Sequence, residues 1–329
     1  MRTAAALLAA ALLAVLTGCG DDGGAEPGAS KDATLVLDFQ PNAVHSGIYS
    51  ALEQGFYEDE GVRLRVREPS ESSDAPKLLR AGRTQFAIMD IHDVGIAIEK
   101  GFDLAPLMPV VQVPLAAVIA RDGDAVRSPK DLEGKTVGVT GLPSDDAVLD
   151  SVLEAGGADP AAVKRVTIGF NAVAALRAGK IDAATAFWNA EGVALRRAGL
   201  QTREFRVDDF GAPRYPELML VTTGKLAREQ RPLVKSVTRG TKRGYRFAAS
   251  HQAETLRDLL TEVAGLDARE QRSQLAALDK AQAFKSPPGC SYRRSLDWLR
   301  WDYEHGILRQ KTLSRHRGPF KALVRSICY

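Results

Sequence analysis

Long hydrophobic runs are scarce in this chain of 329 residues: the one apolar stretch, residues 4–16, is too short to cross roughly 30 Å of hydrocarbon as a stable helix. An excess of one charge is lacking too, with 44 Lys and Arg against 41 Asp and Glu, so net charge gives no argument for nucleic acid as a partner. Cysteine is rare, three residues without CxxC or metal spacing. The five histidines, His45, His92, His251, His305 and His316, are too scattered for their spacing to suggest a metal centre. GxxxxGK, GxGxxG, HExxH and GxSxG are all absent, so no catalytic residue, cofactor or metal is expected and an enzyme is disfavoured.

What the chain does have begins at its first residues. Arg2 precedes the apolar run, which ends at Leu16-Thr17-Gly18-Cys19. This is a secretory signal, and its ending resembles a bacterial lipoprotein signal. That resemblance implies loss of residues 1–18, diacylation of Cys19 and an extracytoplasmic protein held at the cell membrane by its lipid. An ordinary cleaved signal with Cys19 incidental is the other reading. Residues 19–32, rich in Gly, Asp and Ala, then serve as a flexible tether. Cys290 and Cys328 remain, a pair that an oxidising compartment leaves either joined by a disulfide or as free thiols. Residues 285–329 hold ten Lys and Arg against three Asp and Glu, a solvated face or a surface for a membrane partner.

The remaining stretch of nearly 300 residues exceeds one hydrophobic core and points to two lobes. Val62, Leu64 and Val66 alternate with Arg63, Arg65 and Arg67, the pattern of a strand near a sheet edge. Further strands are expected at 85–89, 115–120, 136–140, 166–169 and 181–187. Helices are expected at 46–54, stopped by Gly55, and at 145–155, stopped by Gly156-Gly157. Single helices between strands mean βαβ units and mostly parallel sheets. Beyond Lys225 the pattern turns to long helical runs through Leu278.

Open α/β sheets bind ligands beyond the carboxyl ends of their strands, so the loops there carry the argument. Asp38 to Tyr49 reads as a strand end, a Pro41-Asn42 turn and a helix opening near Ser46, with Asn42 and His45 beside its free N–H groups. Gly141 to Asp146 is a second such turn, in which helix capping alone accounts for Ser144 and Asp145. Phe187-Trp188-Asn189-Ala190-Glu191 sets two aromatics before an amide and a carboxylate, and Gly211 to Glu217 is a Pro-framed turn presenting Tyr215. Asp90, His92 and Asp93 form one tight polar cluster, either a cation site or the polar lining of a cleft. Aromatic faces with carboxylates and amides suit a planar, nitrogen-rich ring, whereas a sulfonate or nitrate would be repelled by Asp38, Asp90 and Glu191.

Asp38-Phe39-x-Pro-Asn42-x-x-His45-x-Gly47-x-Tyr49, Phe187-Trp188-Asn189-x-Glu191-Gly192 and Pro213-x-Tyr215-x-Glu217-Leu218 together resemble the thiamine-pyrimidine-precursor-binding family of ABC-transporter substrate-binding proteins. The resemblance covers residues 33–225. It implies an α/β, two-lobed type II periplasmic-binding-protein fold, each lobe a mainly parallel sheet flanked by helices with the ligand in the cleft. Lobe 1 is expected from residues 33–120 and 221–329 and lobe 2 from 121–220, with crossings near 120–123 and 220–223. It further implies a monomer that captures a small heteroaromatic ligand by hinge closure and delivers it to a membrane permease. Trp188, with Tyr215 or Phe39, would stack on the ring. Glu191 would pair with its amino edge, while Asn42, His45 and Asp90 read the opposite edge. Tyr49, Gly141, Ser144 and Asn189 complete the expected set. Riboflavin, an alkanesulfonate or another small metabolite on the same scaffold, and an enzyme of thiamine salvage, are the alternatives.

Overall fold

A computed structural model describes residues 31–121, 126–285 and 292–309. The signal peptide, Cys19, Cys290, Cys328 and most of the basic C-terminal stretch lie outside the described residues. Lys31 and Asp32, expected in the tether, already belong to the first strand.

Two five-stranded sheets organise the chain. The first takes β1 (Lys31–Val36), β2 (Val62–Arg67), β3 (Phe86–Asp90), β4 (Leu104–Pro109) and, much later in sequence, β10 (Leu218–Thr223), in the order β2-β1-β3-β10-β4. The second takes β5 (Ala116–Arg121), β6 (Thr136–Val139), β7 (Lys164–Thr167), β8 (Ala183–Phe187) and β9 (Thr202–Arg206), in the order β7-β6-β8-β5-β9. β1 pairs in parallel with β2 and β3, and β6 with β7 and β8. β10 and β5 run antiparallel to both of their neighbours, so each sheet is mixed, with one reversed strand inside it.

Those reversed strands correct the expected crossings. The chain leaves the first sheet after Pro109 and enters the second at Ala116, then returns between Arg206 and Leu218. Of the first expected crossing, Ala120 and Arg121 instead end β5, with 122 and 123 outside the described residues, and 220–223 fall within β10. Both strands are mainly apolar, and apolar pattern does not say which sheet a strand joins. The strand expected at 166–169 forms at Lys164–Thr167, and the helix expected from 145 begins at Pro143. β4, β9 and β10 lie outside the strands expected from sequence. β4 contains Pro106 and Pro109 and β9 reads Thr-Arg-Glu-Phe-Arg; both are edge strands, where proline and charge are tolerated.

Helices cover both faces of each sheet. In β3, Phe86 and Ile88 pack into one apolar cluster while Ala87 and Met89 pack into the other, which is why the strand reads as a continuous apolar run. α1 (Ser46–Glu53), α2 (Asp74–Arg80) and α3 (Ile91–Glu99) follow strands of the first sheet. α4 (Pro143–Ala155), α5 (Ala172–Arg177) and α6 (Glu191–Arg197) follow strands of the second. After β10 come α7 (Gly224–Glu229), α8 (Arg231–Ala248), α9 (Gln252–Glu262), α10 (Ala268–Lys280) and α11 (Tyr292–Glu304), the helical run expected beyond Lys225.

α8 fixes the loop after β1. It buries Val237, Thr241, Gly244, Tyr245 and Ala248 at helical spacing. A Cβ on Gly244 would overlap the Gly47 carbonyl oxygen, so only glycine lets α8 approach α1 this closely. Tyr245 then donates its hydroxyl to Val44 O at 3.0 Å.

Candidate functional site

The carboxyl ends of the parallel strands meet at a cavity of about 250 Å³ between the two sheets. Asp38 and Phe39 come from the loop after β1, Asp90 from the end of β3, Thr140, Leu142, Ser144 and Asp145 from the turn after β6 and the start of α4, and Phe187 and Glu191 from the end of β8. Because β10 and β5 are reversed, they begin where their neighbours end: Leu218 lies opposite Asp90, and Ala116 opposite Phe187. This brings Glu217 and Ala116 into the same wall.

Two chemistries line the cavity. Phe39, Phe170, Phe187 and Phe102 supply rings, and Phe39 meets Phe170 edge-on at 4.6 Å and 76° across the gap between the sheets. Among the described residues, six carboxyl groups, Asp38, Asp90, Asp93, Asp145, Glu191 and Glu217, share the lining with a single basic residue, Lys100.

Each carboxyl is held by its own local geometry. Asn42 caps a short 3₁₀ turn, Ala43–His45, by accepting the Val44 N–H, and its own N–H donates to His45 Nδ1 at 3.2 Å. Nδ1 therefore accepts, which leaves Nε2–H to donate to Asp38 Oδ1 at 2.9 Å. Asp90 caps α3 by accepting the His92 N–H at 2.7 Å, and Asp145 accepts the Thr140 N–H at 2.6 Å. Glu191 accepts the Phe187 N–H at 3.1 Å. Glu217, fully buried, accepts the N–H of Leu115 at 2.5 Å and of Ala116 at 3.2 Å.

Crowding this many carboxyls in an apolar cavity disfavours their ionised forms. Burial pushes Glu191 up to about 7, helped by the nearby Asp145 and Asp38 carboxylates. Burial likewise pushes Glu217 up to about 7 against the pull of its hydrogen bonds. Asp90, Asp93 and Asp145 are raised as well, first by burial and, for Asp93, by Asp90 and Asp145 beside it. Such a wall is suited to a ligand that brings hydrogen-bond donors or a positive charge.

Of the residues expected from sequence, Asp38, Phe39, Asp90, Ser144 and Glu191 line this cavity. Asn42 and His45 stand behind it, positioning the Asp38 loop. Tyr49 is buried in the core between α1 and its neighbours. Gly141 (φ 96°) makes the turn ahead of α4 without reaching the lining. Trp188 is buried and turned away: its indole N–H donates to Pro114 O at 3.0 Å, and the Arg206 guanidinium covers its ring at 4.3 Å. Asn189 is fully buried, its side-chain amide without a hydrogen-bond partner among the described residues.

Tyr215 packs away from the cavity as well. It is fully buried, edge-on to His92 at 4.6 Å and stacked on Trp301 of α11 at 6.2 Å. His92 Nδ1 lies 2.8 Å from Asp302 Oδ1, and the Trp298 indole N–H is 3.2 Å from the same nitrogen. A protonated Nδ1 donates to Asp302 and has no lone pair left for the indole N–H, so the shorter, charge-assisted contact to Asp302 takes precedence. Burial opposes charge on His92, yet Asp302, Asp90 and Asp93 together outweigh it and hold the imidazolium up to about 9. The polar cluster at Asp90, His92 and Asp93 is thus split: the two carboxyls face the cavity and the imidazole faces α11. Among the described residues no group of three or more His, Cys, Asp and Glu is arranged to hold a metal ion.

Phe170, Ser72 and Ser73 were missed by sequence reasoning, and Phe187, Asp145 and Glu217 were seen in their loops without a site role. Phe170 follows Gly169 (φ 54°) in a turn after β7, a strand whose pattern is weak. The serines lie ahead of α2, with Ser72 Oγ 3.4 Å from Thr140 O across the gap. Nothing local in the sequence marks them.

The model of the NMT1/THI5-like family matches residues 42–255. A formylaminopyrimidine-binding protein of Halalkalibacterium halodurans is 30% identical over 253 residues, which cover 76% of this chain and 77% of the relative. A 4-amino-5-hydroxymethyl-2-methylpyrimidine phosphate synthase of Legionella pneumophila is 27% identical over 224 residues, 67% of this chain and 70% of the relative. Among solved structures, the alkanesulfonate-binding protein SsuA of Xanthomonas axonopodis pv. citri, bound to MOPS, matches with a TM-score of 0.67 at 18% identity over 85% of this chain and 94% of that one. The nitrate-binding protein NrtA of Synechocystis PCC 6803 matches with a TM-score of 0.69 at 13% identity over 90% and 86%. The fold is therefore the two-lobed type II periplasmic-binding-protein fold.

Proposed function

We propose that this chain, which belongs to the NMT1/THI5-like family, is the binding component of an ABC importer and captures a pyrimidine precursor of thiamine in the cavity between its sheets. The first sheet with α7 to α11 and the second sheet with α4 to α6 are the two lobes that close on the ligand. The acylated Cys19 holds the protein outside the cytoplasmic membrane, a role supported by the Leu16-Thr17-Gly18-Cys19 ending.

The observation that carries the ligand assignment is the lining itself, aromatic rings with six carboxyls and one lysine. Phe39, Phe170 and Phe187 offer faces and edges to a flat ring. Glu191 and Asp38 pair with its amino group and, when the ring is protonated, with its ring N–H, while Asp90 and Glu217 are further acceptors in the same wall. Alkanesulfonate and nitrate, the ligands in the names of the two solved neighbours, are anions to which this wall of carboxyls offers one lysine as counter-charge among the described residues. A volume of about 250 Å³ lies just below the range of small-molecule sites, roughly 300–1,000 Å³, and suits one ring better than the three of riboflavin.

A thermal-shift panel on the purified protein tests the assignment. A ligand at about 100 times its Kd stabilises by roughly 2.7 kcal/mol. Formylaminopyrimidine or 4-amino-5-hydroxymethyl-2-methylpyrimidine should shift the melt, with riboflavin and an alkanesulfonate silent and no product formed from the bound pyrimidine. A shift with the sulfonate alone rejects the ligand class, and turnover of the pyrimidine rejects a binding protein in favour of an enzyme.

A further inference from the structure

The two segments that carry the chain between the sheets, residues 110–115 and 207–217, converge on one carboxyl group. Glu217 is the last residue of the return segment. Its Oε2 accepts the N–H of Leu115, the last residue of the outgoing segment, at 2.5 Å, and that of Ala116, the first of β5, at 3.2 Å. The Glu217 carbonyl accepts the Ile91 N–H at 2.9 Å, which ties the same residue to the start of α3. One residue thus cross-links both connections, through its side chain, and the first lobe's ligand-facing helix, through its backbone carbonyl.

The other carboxyl oxygen accepts no N–H or hydroxyl among the described residues: Oε1 is buried, and beside it in the cavity wall stands the Asp90 carboxyl, which can share a proton with it. A carboxylate placed only to brace the connections would have both oxygens satisfied by fixed protein donors, because a poorly paired buried acceptor is costly. An oxygen held only through a proton shared with a second acid of the cavity wall can exchange that partner for a ligand donor. A carboxylate is also a stronger acceptor than a neutral acid, so a ligand donor that holds Glu217 ionised strengthens the bonds of Oε2 to Leu115 and Ala116.

We propose that Glu217 couples ligand to hinge: Oε1 takes a hydrogen bond from the bound ligand while Oε2 grips Leu115 and Ala116, so filling the cavity sets the connections in their closed arrangement. This rests on the reading above that the ligand is a donor-bearing ring. Glu191, which bonds only within its own loop at Phe187, contributes affinity without reaching either connection.

Small-angle scattering and binding titrations with formylaminopyrimidine and 4-amino-5-hydroxymethyl-2-methylpyrimidine separate the roles. The wild type contracts on binding. Glu191→Gln binds about 10- to 100-fold more weakly, the range for one charge-assisted hydrogen bond, yet contracts fully at saturation. Glu217→Gln, which keeps an acceptor for Leu115 and Ala116 but loses the charge, binds more weakly and contracts less even when saturated. Full contraction of saturated Glu217→Gln overturns the coupling. Hydrogen exchange in the wild type is a check that needs no variant: the Leu115 and Ala116 amides should exchange more slowly with ligand bound, and unchanged exchange overturns the proposal. A wild type that binds neither pyrimidine overturns the ligand reading, and this inference with it.

Discussion

Asp302→Asn breaks the ion pair that docks α11 behind the cavity. His92 and Asp302 are both fully buried, 2.8 Å apart. Neighbouring carboxylates keep His92 protonated up to about 9, against an ordinary value of 6.5. Across that window the folded protein holds a proton the unfolded chain has released, so its stability falls by about 1.4 kcal/mol per pH unit. The contribution is whole below 6.5, amounts to roughly 3 kcal/mol, and is lost as pH rises through 9. Asp302 does not gain in the same way: burial pushes its own carboxyl up, so keeping it ionised offsets part of what His92 gains. Asp302→Asn should therefore cost about 1–3 kcal/mol near neutral pH, less than a full buried-pair loss of about 3–5 kcal/mol. Urea unfolding followed by the fluorescence of Trp298 and Trp301, repeated on either side of the window, measures both quantities. A variant that keeps the wild-type decline with pH, or loses under about 0.5 kcal/mol, refutes the role of the pair.

Three other outcomes follow from the geometry. Glu217, pushed up to about 7 by burial, adds stability while protonated; that contribution is whole below its unfolded value of 4.5 and lost as pH rises through 7. Thermal melts over a pH series should thus show the wild type losing ground to Glu217→Gln between about 4.5 and 7; parallel curves would contradict this. Gly244→Ala forces a methyl into the Gly47 carbonyl and should destabilise by about 1–3 kcal/mol or more in denaturant unfolding, with wild-type stability the contrary result. Trp188→Phe loses the bond to Pro114 O but should leave ligand affinity within about 3-fold; a loss of 10-fold or more would return Trp188 to the ring-stacking role.

The strands that carry the site were legible because they are buried on both faces and read as apolar runs, β3, β5 and β8 above all. Their loops were legible for the same reason: Asp38, Asp90 and Glu191 sit just past those runs, where a parallel sheet exposes its ends. The direction of aromatic side chains was not legible. Trp188 and Phe187 are neighbours at a strand end and point to opposite sides, and only the placement of Arg206 and Pro114 decides which one faces the cavity. Glu217 was hidden for a topological reason. Its role depends on β5 and β10 being reversed and beginning side by side, which local pattern does not encode. His92 was drawn to the wrong side by its neighbours Asp90 and Asp93. Its partner Asp302 lies 210 residues away, on a helix beyond the residues 33–225 that carry the resemblance.

Calorimetric titration with formylaminopyrimidine, alongside methanesulfonate and the Glu191→Gln variant, tests the central claim most directly. The account predicts saturable one-to-one binding of the pyrimidine, weakened about 10- to 100-fold by Glu191→Gln, and no heat from the sulfonate. Binding of the sulfonate with none of the pyrimidine would mean that the carboxyl-lined cavity does not select a donor-bearing ring.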